Sequence, residues 1–347
     1  MRIRNLIPLL CILGTPACNS KNNADAGGPT ASGVKPIKAA MVTDMGGIDD
    51  QSFNAAAWAG LQKAKAEHKI EGRFLESREQ ADYVTNLSSL AQQGYDIVFA
   101  VGFMMQDALA QVAPANPNTK FAIIDGDAPS APNCVALKFR EEEGCFLAGY
   151  LAGKMTKTGA IGFVGGVESP LITKFEVGYI AGAKTARADI RVIPKYIGSW
   201  DDNAKGKEAA EAEFRDGADI IFHAAGKGGL GVIDAAAEKG EGFYAIGVDK
   251  DQDSIQPGRV LTSMMKDVES AVFQTVGELI AGKWTPGTKV FGIKEGGIHL
   301  SPMKHTKDKV PAEVLAKIED LSKQIADGAI KVPTTEEELQ TFEPPKG

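Results

Sequence analysis

"QGYDIVFAVGFMMQDALAQVA", residues 93–113, and "DGADIIFHAAGKGGLGVIDAAAEKG", residues 216–240, decide the fold. Each reads glycine, one residue, aspartate, a short apolar run, a glycine-bearing turn and an amphipathic helix. Each is followed by a second apolar run ending in aspartate: "KFAIIDGD" reaches Asp125 and "GFYAIGVDKD" reaches Asp249. The two halves are offset by 123 residues at Gly94 and Gly217, and by 124 at Asp125 and Asp249. Their openings match as well: "IKAAMVTDMGG" leads to a helix at Phe53, and "AIGFVGGVESP" to a helix carrying Phe175. Strands apolar along their whole length are strands buried on both faces. The pattern predicts an α/β protein of two similar doubly wound lobes with parallel sheets. A helix from Asp267 to Ala281, a strand near Val290 and an amphipathic helix from Pro311 to Ala326 complete the chain.

The first residues bear on compartment. Arg2 and Arg4 precede a brief apolar stretch, Leu6 to Leu13, followed by small residues: a signal peptide over 1–18, too short to span a bilayer. "LGTPAC" is similar to a bacterial lipobox with Cys18 as the acylated residue, although Thr15 and Pro16 depart from the usual pattern; the alternative is an ordinary signal cut nearby. Residues 19–36 are polar, small and Gly/Pro-rich, a flexible tether reaching roughly 20–25 Å. The expectation is an exported protein anchored to the cell membrane by lipid, facing the periplasm or exterior. The body of roughly 310 residues is long enough for two domains. A net charge of −7 and a pI near 5.3 argue against nucleic acid as the partner.

Of the four cysteines, Cys134 and Cys145 lie in the body. A chain that runs up the strand after Cys134 and returns through "REEEG" would bring the two together as a disulfide; the alternative is two separately buried thiols. His68, His223, His299 and His305 have no metal-ligand spacing, so neither a metal nor a cofactor is expected.

Ligands of doubly wound sheets bind beyond the carboxyl ends of the strands, and two facing lobes share one cleft. The first lobe offers Asp44, Asp50, Phe53, Asn54 and Asp125 at such ends; the second offers Trp200, Gly226, Asp249 and Lys266. Two aromatics on opposite lobes can sandwich a flat ring, and ionised aspartates suit a partner with adjacent donors, such as a vicinal diol. That combination describes a nucleoside better than a peptide or amino acid. Bland readings stand beside these. Phe53 can be the first core residue of its helix, one of Asp49 and Asp50 a helix cap, Trp200 a side chain packed on its own lobe, and Lys266 an ordinary surface lysine.

"TDMGGIDDQSFNAAAWAG", "FREEEGCFLAGYLAG", "GSWDDNAKGKEAA" and "AIGVDKDQ", in this order, resemble the basic membrane protein family. These are substrate-binding lipoproteins of ABC transporters, typified by bacterial purine-nucleoside receptors. The resemblance runs from Ile37 to about Pro333. It implies the type I periplasmic-binding-protein fold with three crossovers, a monomer, and a permease partner. The lobes are then expected at 37–140 plus 264–286 and at 141–263 plus 287–347. It also implies Phe53 and Trp200 on the two faces of a purine, with Asn54 and Asp125 at its edge. Gly226, Asp249 and Lys266 fall on the ribose. Trp200 stands where the family usually has phenylalanine, and "GKGGLG" replaces a threonine-bearing turn. Guanosine and inosine are the expected ligands.

Two rivals remain. Gly226, Gly228 and Gly231 spell G-x-G-x-x-G between a strand and a helix, the pattern of an NAD-dependent oxidoreductase. Against it stand the motif's place in the second lobe, the exported context and the lack of a catalytic His–acid or Cys–His arrangement. The same fold binding a sugar or autoinducer is the other.

Overall fold

The computed structural model describes residues 36–345; the signal peptide, Cys18 and nearly all of the tether lie outside them. The strands of the first lobe are β1 (Lys38–Thr43), β2 (Glu71–Leu75), β3 (Ile97–Val101), β4 (Lys120–Ile124) and β5 (Cys134–Phe139). Those of the second are β6 (Ala160–Gly165), β7 (Arg191–Tyr196), β8 (Ile220–Ala224), β9 (Tyr244–Asp249) and β10 (Val260–Lys266). Two short strands follow, β11 (Gly287–Phe291) and β12 (Ile298–Leu300). The sheets run β11-β5-β4-β3-β1-β2 and β12-β10-β9-β8-β6-β7. Every ladder is parallel except the edge pair of β10 with β12. β3, β6 and β8 are buried at every residue, as their largely apolar sequences require, His223 of β8 included.

The helices are α1 (Phe53–His68), α2 (Asp82–Gln92), α3 (Gln106–Ala115), α4 (Glu141–Met155), α5 (Pro170–Ala186), α6 (Asn203–Arg215), α7 (Gly228–Lys239), α8 (Val268–Ile280), α9 (Ala312–Ala326) and α10 (Glu336–Thr341). Glycine sets how closely some of them approach. A Cβ on Gly149 of α4 would sit 2.0 Å from the Tyr179 carbonyl oxygen, and one on Gly182 of α5 would sit 1.9 Å from that of Phe146. The two backbones touch, which is the reason for the "LAGYLAG" and "GYIAGA" spacing.

The chain crosses between the lobes three times: from β5 to α4 at Arg140, from β10 to α8 at Asp267, and from β11 to β12. This corrects the expected boundaries. All of β10, through Lys266, belongs to the second sheet, and β11 completes the first. α8 packs on α1, where a Cβ on Gly60 would meet the Glu269 carbonyl oxygen at 2.3 Å. The first lobe is therefore 37–139 plus 268–291.

The crossover also separates the cysteines, and the expected disulfide is not there: both are free and buried. Cys134 packs with Tyr83, Leu87 and Val98 in the first lobe. Cys145 lies on α4 beside Phe146 in the second. "REEEG" does not turn the chain back within a lobe; it carries the chain across.

Candidate functional site

One cavity between the lobes is lined by Asp44, Asp50, Phe53, Asn54, Asp125, Trp200, Gly226, Asp249 and Lys266. All nine residues singled out from sequence thus meet in one place. Asp44 follows β1, Asp125 follows β4, Gly226 follows β8, and Asp249 and Lys266 end β9 and β10. Asp125 and Asp249 both hold left-handed backbone, at φ 68° and 65°. A conformation costly for a side chain bearing a Cβ recurs at equivalent points of the two lobes, as strain kept at a working site does.

The loop "GGIDDQSFN" divides its acids between two tasks. Asp50 accepts backbone N–H groups from Ser52 (2.9 Å), Asn54 (2.8 Å) and Ala55 (2.9 Å), closing the start of α1. Although Asp50 lines the cavity, its carboxylate is committed to the helix; the capping alternative holds for it. Asp49 is exposed and receives Lys227 Nζ from the opposite lobe at 2.8 Å. With the helix start fixed, Phe53 is half-buried and Asn54 buried against the cavity. Asn54 Nδ2 donates to Asp44 Oδ1 at 2.8 Å, which leaves Asn54 Oδ1 as an acceptor without a protein partner.

Lys266 is the electrostatic centre. Its Nζ donates to Asp125 Oδ2 at 2.5 Å and lies 3.2 Å from Glu141 Oε1. It sits over the rings of Phe53, Phe139 and Phe175 at 4.9, 5.2 and 5.6 Å. Lys266 is only 2% exposed; it is not a surface lysine. Burial alone would lower its pKa, but Asp125, Glu141 and Asp249 around it hold the ammonium above its ordinary value. Asp44 is raised by burial. Burial pushes Asp249 up to about 6, against the opposing pull of Lys266 and Ser52. Asp125 is likewise raised by burial, with Lys266 pulling the other way.

Asp125 spends Oδ2 on Lys266, so only Oδ1 is left to a ligand. Three buried polar atoms of cavity-lining residues have no partner within the protein: Asn54 Oδ1, Asp125 Oδ1 and Trp200 Nε1. Two accept and one donates, and each costs roughly 1–3 kcal/mol while unpaired. Trp200 stands against Phe103 edge to face, ring centres 6.5 Å apart.

Sequence reading missed Ser52, Phe103, Glu141 and Phe175. Phe175 was placed in a helix but not in the cleft, and Glu141 was one of three adjacent glutamates with no pattern to single it out. Ser52 Oγ donates across the cleft to Asp249 Oδ2 at 2.5 Å. The G-x-G-x-x-G glycines have another use. A Cβ on Gly206 would sit 1.9 Å from the Gly228 carbonyl oxygen, and one on Gly231 would sit 2.1 Å from that of Asn203. They let α6 and α7 touch; of the three in the motif, only Gly226 lines the cavity.

The chain as a whole matches known proteins. Residues 37–336 fit the family described as ABC transporter substrate-binding protein PnrA-like. Basic membrane protein A1 of Borrelia garinii subsp. bavariensis is 40% identical over 310 residues, covering 88% of this chain and 90% of that protein. The ABC transporter nucleoside-binding protein BmpA of Lactococcus lactis subsp. cremoris is 36% identical over 330 residues, covering 89% and 93%. An ABC transporter solute-binding protein of Aeropyrum pernix K1 superimposes with a TM-score of 0.80 at 28% identity, covering 88% of this chain and 96% of that one. The chain belongs to the PnrA-like family of ABC transporter substrate-binding proteins.

Proposed function

We propose that this protein is the lipid-anchored receptor of an ABC importer, acylated at Cys18, that captures purine nucleosides and presents them to the permease as a monomer. The observation that carries the ligand class is the set of unpartnered atoms among aromatic side chains. Phe53 on one lobe and Trp200 on the other supply walls for a flat base. Asn54 Oδ1 and Asp125 Oδ1 accept at its edge, and Asp249 accepts from the ribose diol beside Gly226 and Lys266. Guanine offers an N–H and an adjacent amine to two acceptors, and hypoxanthine offers the N–H. Adenine presents a ring acceptor there instead. A phosphate would enter among Asp44, Asp125, Asp249 and Glu141 against one ammonium, a poor site for an anion. The nucleoside-binding relative at 36% identity supports the same class.

Titration calorimetry with guanosine, inosine, adenosine and guanosine monophosphate tests the reading. Adenosine is expected to bind roughly 5- to 150-fold more weakly than guanosine, the cost of one buried polar mismatch. Equal affinities would remove Asp125 and Asn54 from the base edge. Tighter binding of the monophosphate would overturn the charge argument. A sugar in place of a nucleoside co-purifying in native mass spectrometry would move the protein to the other ligand class.

A further inference from the structure

The starting observation is one hydrogen bond across the cleft. Ser52 Oγ donates to Asp249 Oδ2 at 2.5 Å and lies 3.5 Å from the Val248 carbonyl oxygen. Ser52 is fully buried at the start of α1 in the first lobe, and Asp249 ends β9 in the second. The hydroxyl is not needed as a helix cap, because Asp50 performs that task. It is nevertheless held in place: the Ser52 N–H donates to Asp50 Oδ1 at 2.9 Å, and the Ser52 carbonyl accepts from Ala56 N–H at 2.9 Å.

Asp249 needs such a partner. A carboxylate can rotate, and both its oxygens accept equally well. A hydroxyl fixed on the facing lobe takes Oδ2 and leaves Oδ1 as the oxygen open to a ligand. We propose that Ser52 is a positioning residue for diol recognition: it orients the Asp249 carboxylate, and it does so only when the lobes close. Opening the cleft parts the first lobe from the second, breaks the bond and frees the carboxylate to turn. The acceptor for the sugar is therefore completed by closure, which couples recognition of the diol to the shape of the protein.

The inference rests on the nucleoside reading of the same site, and the experiment separates the two. Wild type, S52A and S52T are titrated with a ribonucleoside and with its 2′,3′-dideoxy analogue. S52A is expected to lose roughly 10- to 150-fold affinity for the ribonucleoside, the range for one hydrogen bond to a charged group. Its affinity for the dideoxy analogue should change much less. S52T keeps the hydroxyl and should restore most of the ribonucleoside affinity. Equal losses for both ligands would make Ser52 a plain contact between lobes and overturn the proposal, as would no loss for either. If wild type itself does not distinguish the ribonucleoside from the dideoxy analogue, the assignment of Asp249 to the diol fails first.

Discussion

Asp249 and Lys266 both hold their protons more tightly in the folded protein than outside it. Burial raises Asp249 to about 6, so it takes a proton in the folded protein well above its ordinary value near 3.8. For folding, the sign is that of a group bound more tightly to its proton in the native state. Its contribution is fully present below the ordinary value and is lost as pH rises through about 6. On the role proposed for Asp249 the sign reverses for ligand binding, because only the ionised carboxylate is an acceptor at both oxygens. Nucleoside affinity is expected to fall as pH drops from 7.5 to 5 while the melting temperature of the ligand-free protein holds or rises; calorimetry and thermal melts at matched pH check both. Lys266 is the charge that makes the cluster tolerable. K266M would leave Asp125 and Asp249 buried without their cation and Glu141 with Lys174 alone, a loss of about 3–5 kcal/mol in denaturant unfolding at pH 7.5. That deficit should narrow at pH 5, where the raised carboxylates pick up protons instead. At this scale the strand-end residues were legible, because they follow apolar runs at matched places in a repeat. Ser52 and Glu141 were not: nothing in a local sequence says that a serine or a glutamate faces the other lobe.

Between elements, glycine decides packing more than hydrophobic pattern does. The touching backbones of α4 and α5 leave no space for a methyl group at Gly149 or Gly182. G182A is expected to destabilise the fold by about 2–3 kcal/mol, since the new methyl must push two helices apart. Ala-for-Gly at the exposed Gly328, which has open space around it but a φ of 76°, should cost no more than the strain of its backbone, about 1 kcal/mol. Chemical denaturation of the two variants compares them directly. The strands and helices were legible because their periods differ and their turns carry glycine or aspartate. Which sheet β10 and β11 join was not, since a short apolar run carries no mark of its partner. The pairing of Cys134 with Cys145 failed for the same reason, as the glutamate run between them turned out to be a crossover.

Among the described residues, the polar side-chain contacts that tie one lobe to the other over the cleft include Asp49 with Lys227, the Gln51 carbonyl with Gln252 Nε2 at 3.1 Å, Ser52 with Asp249, and Asp125 with Lys266. Three of them come from the "DDQS" stretch, at Asp49, Gln51 and Ser52. Closure on a nucleoside about three narrow crossovers should shrink the radius of gyration in small-angle scattering. An unchanged radius at saturation would mean that ligand enters a cleft already shut. The exposed Asp49–Lys227 pair is screened by salt and adds little to closure at physiological ionic strength. The caged ammonium of Lys266 has one more consequence, in time rather than in energy. Walled by three aromatic rings and paired with two carboxylates, it can meet an acylating reagent only when the lobes part. Its rate of labelling, set against that of the surface lysines of the same molecule, is therefore a clock for opening: fast in the free receptor, and nearly stopped once cargo holds the jaws together.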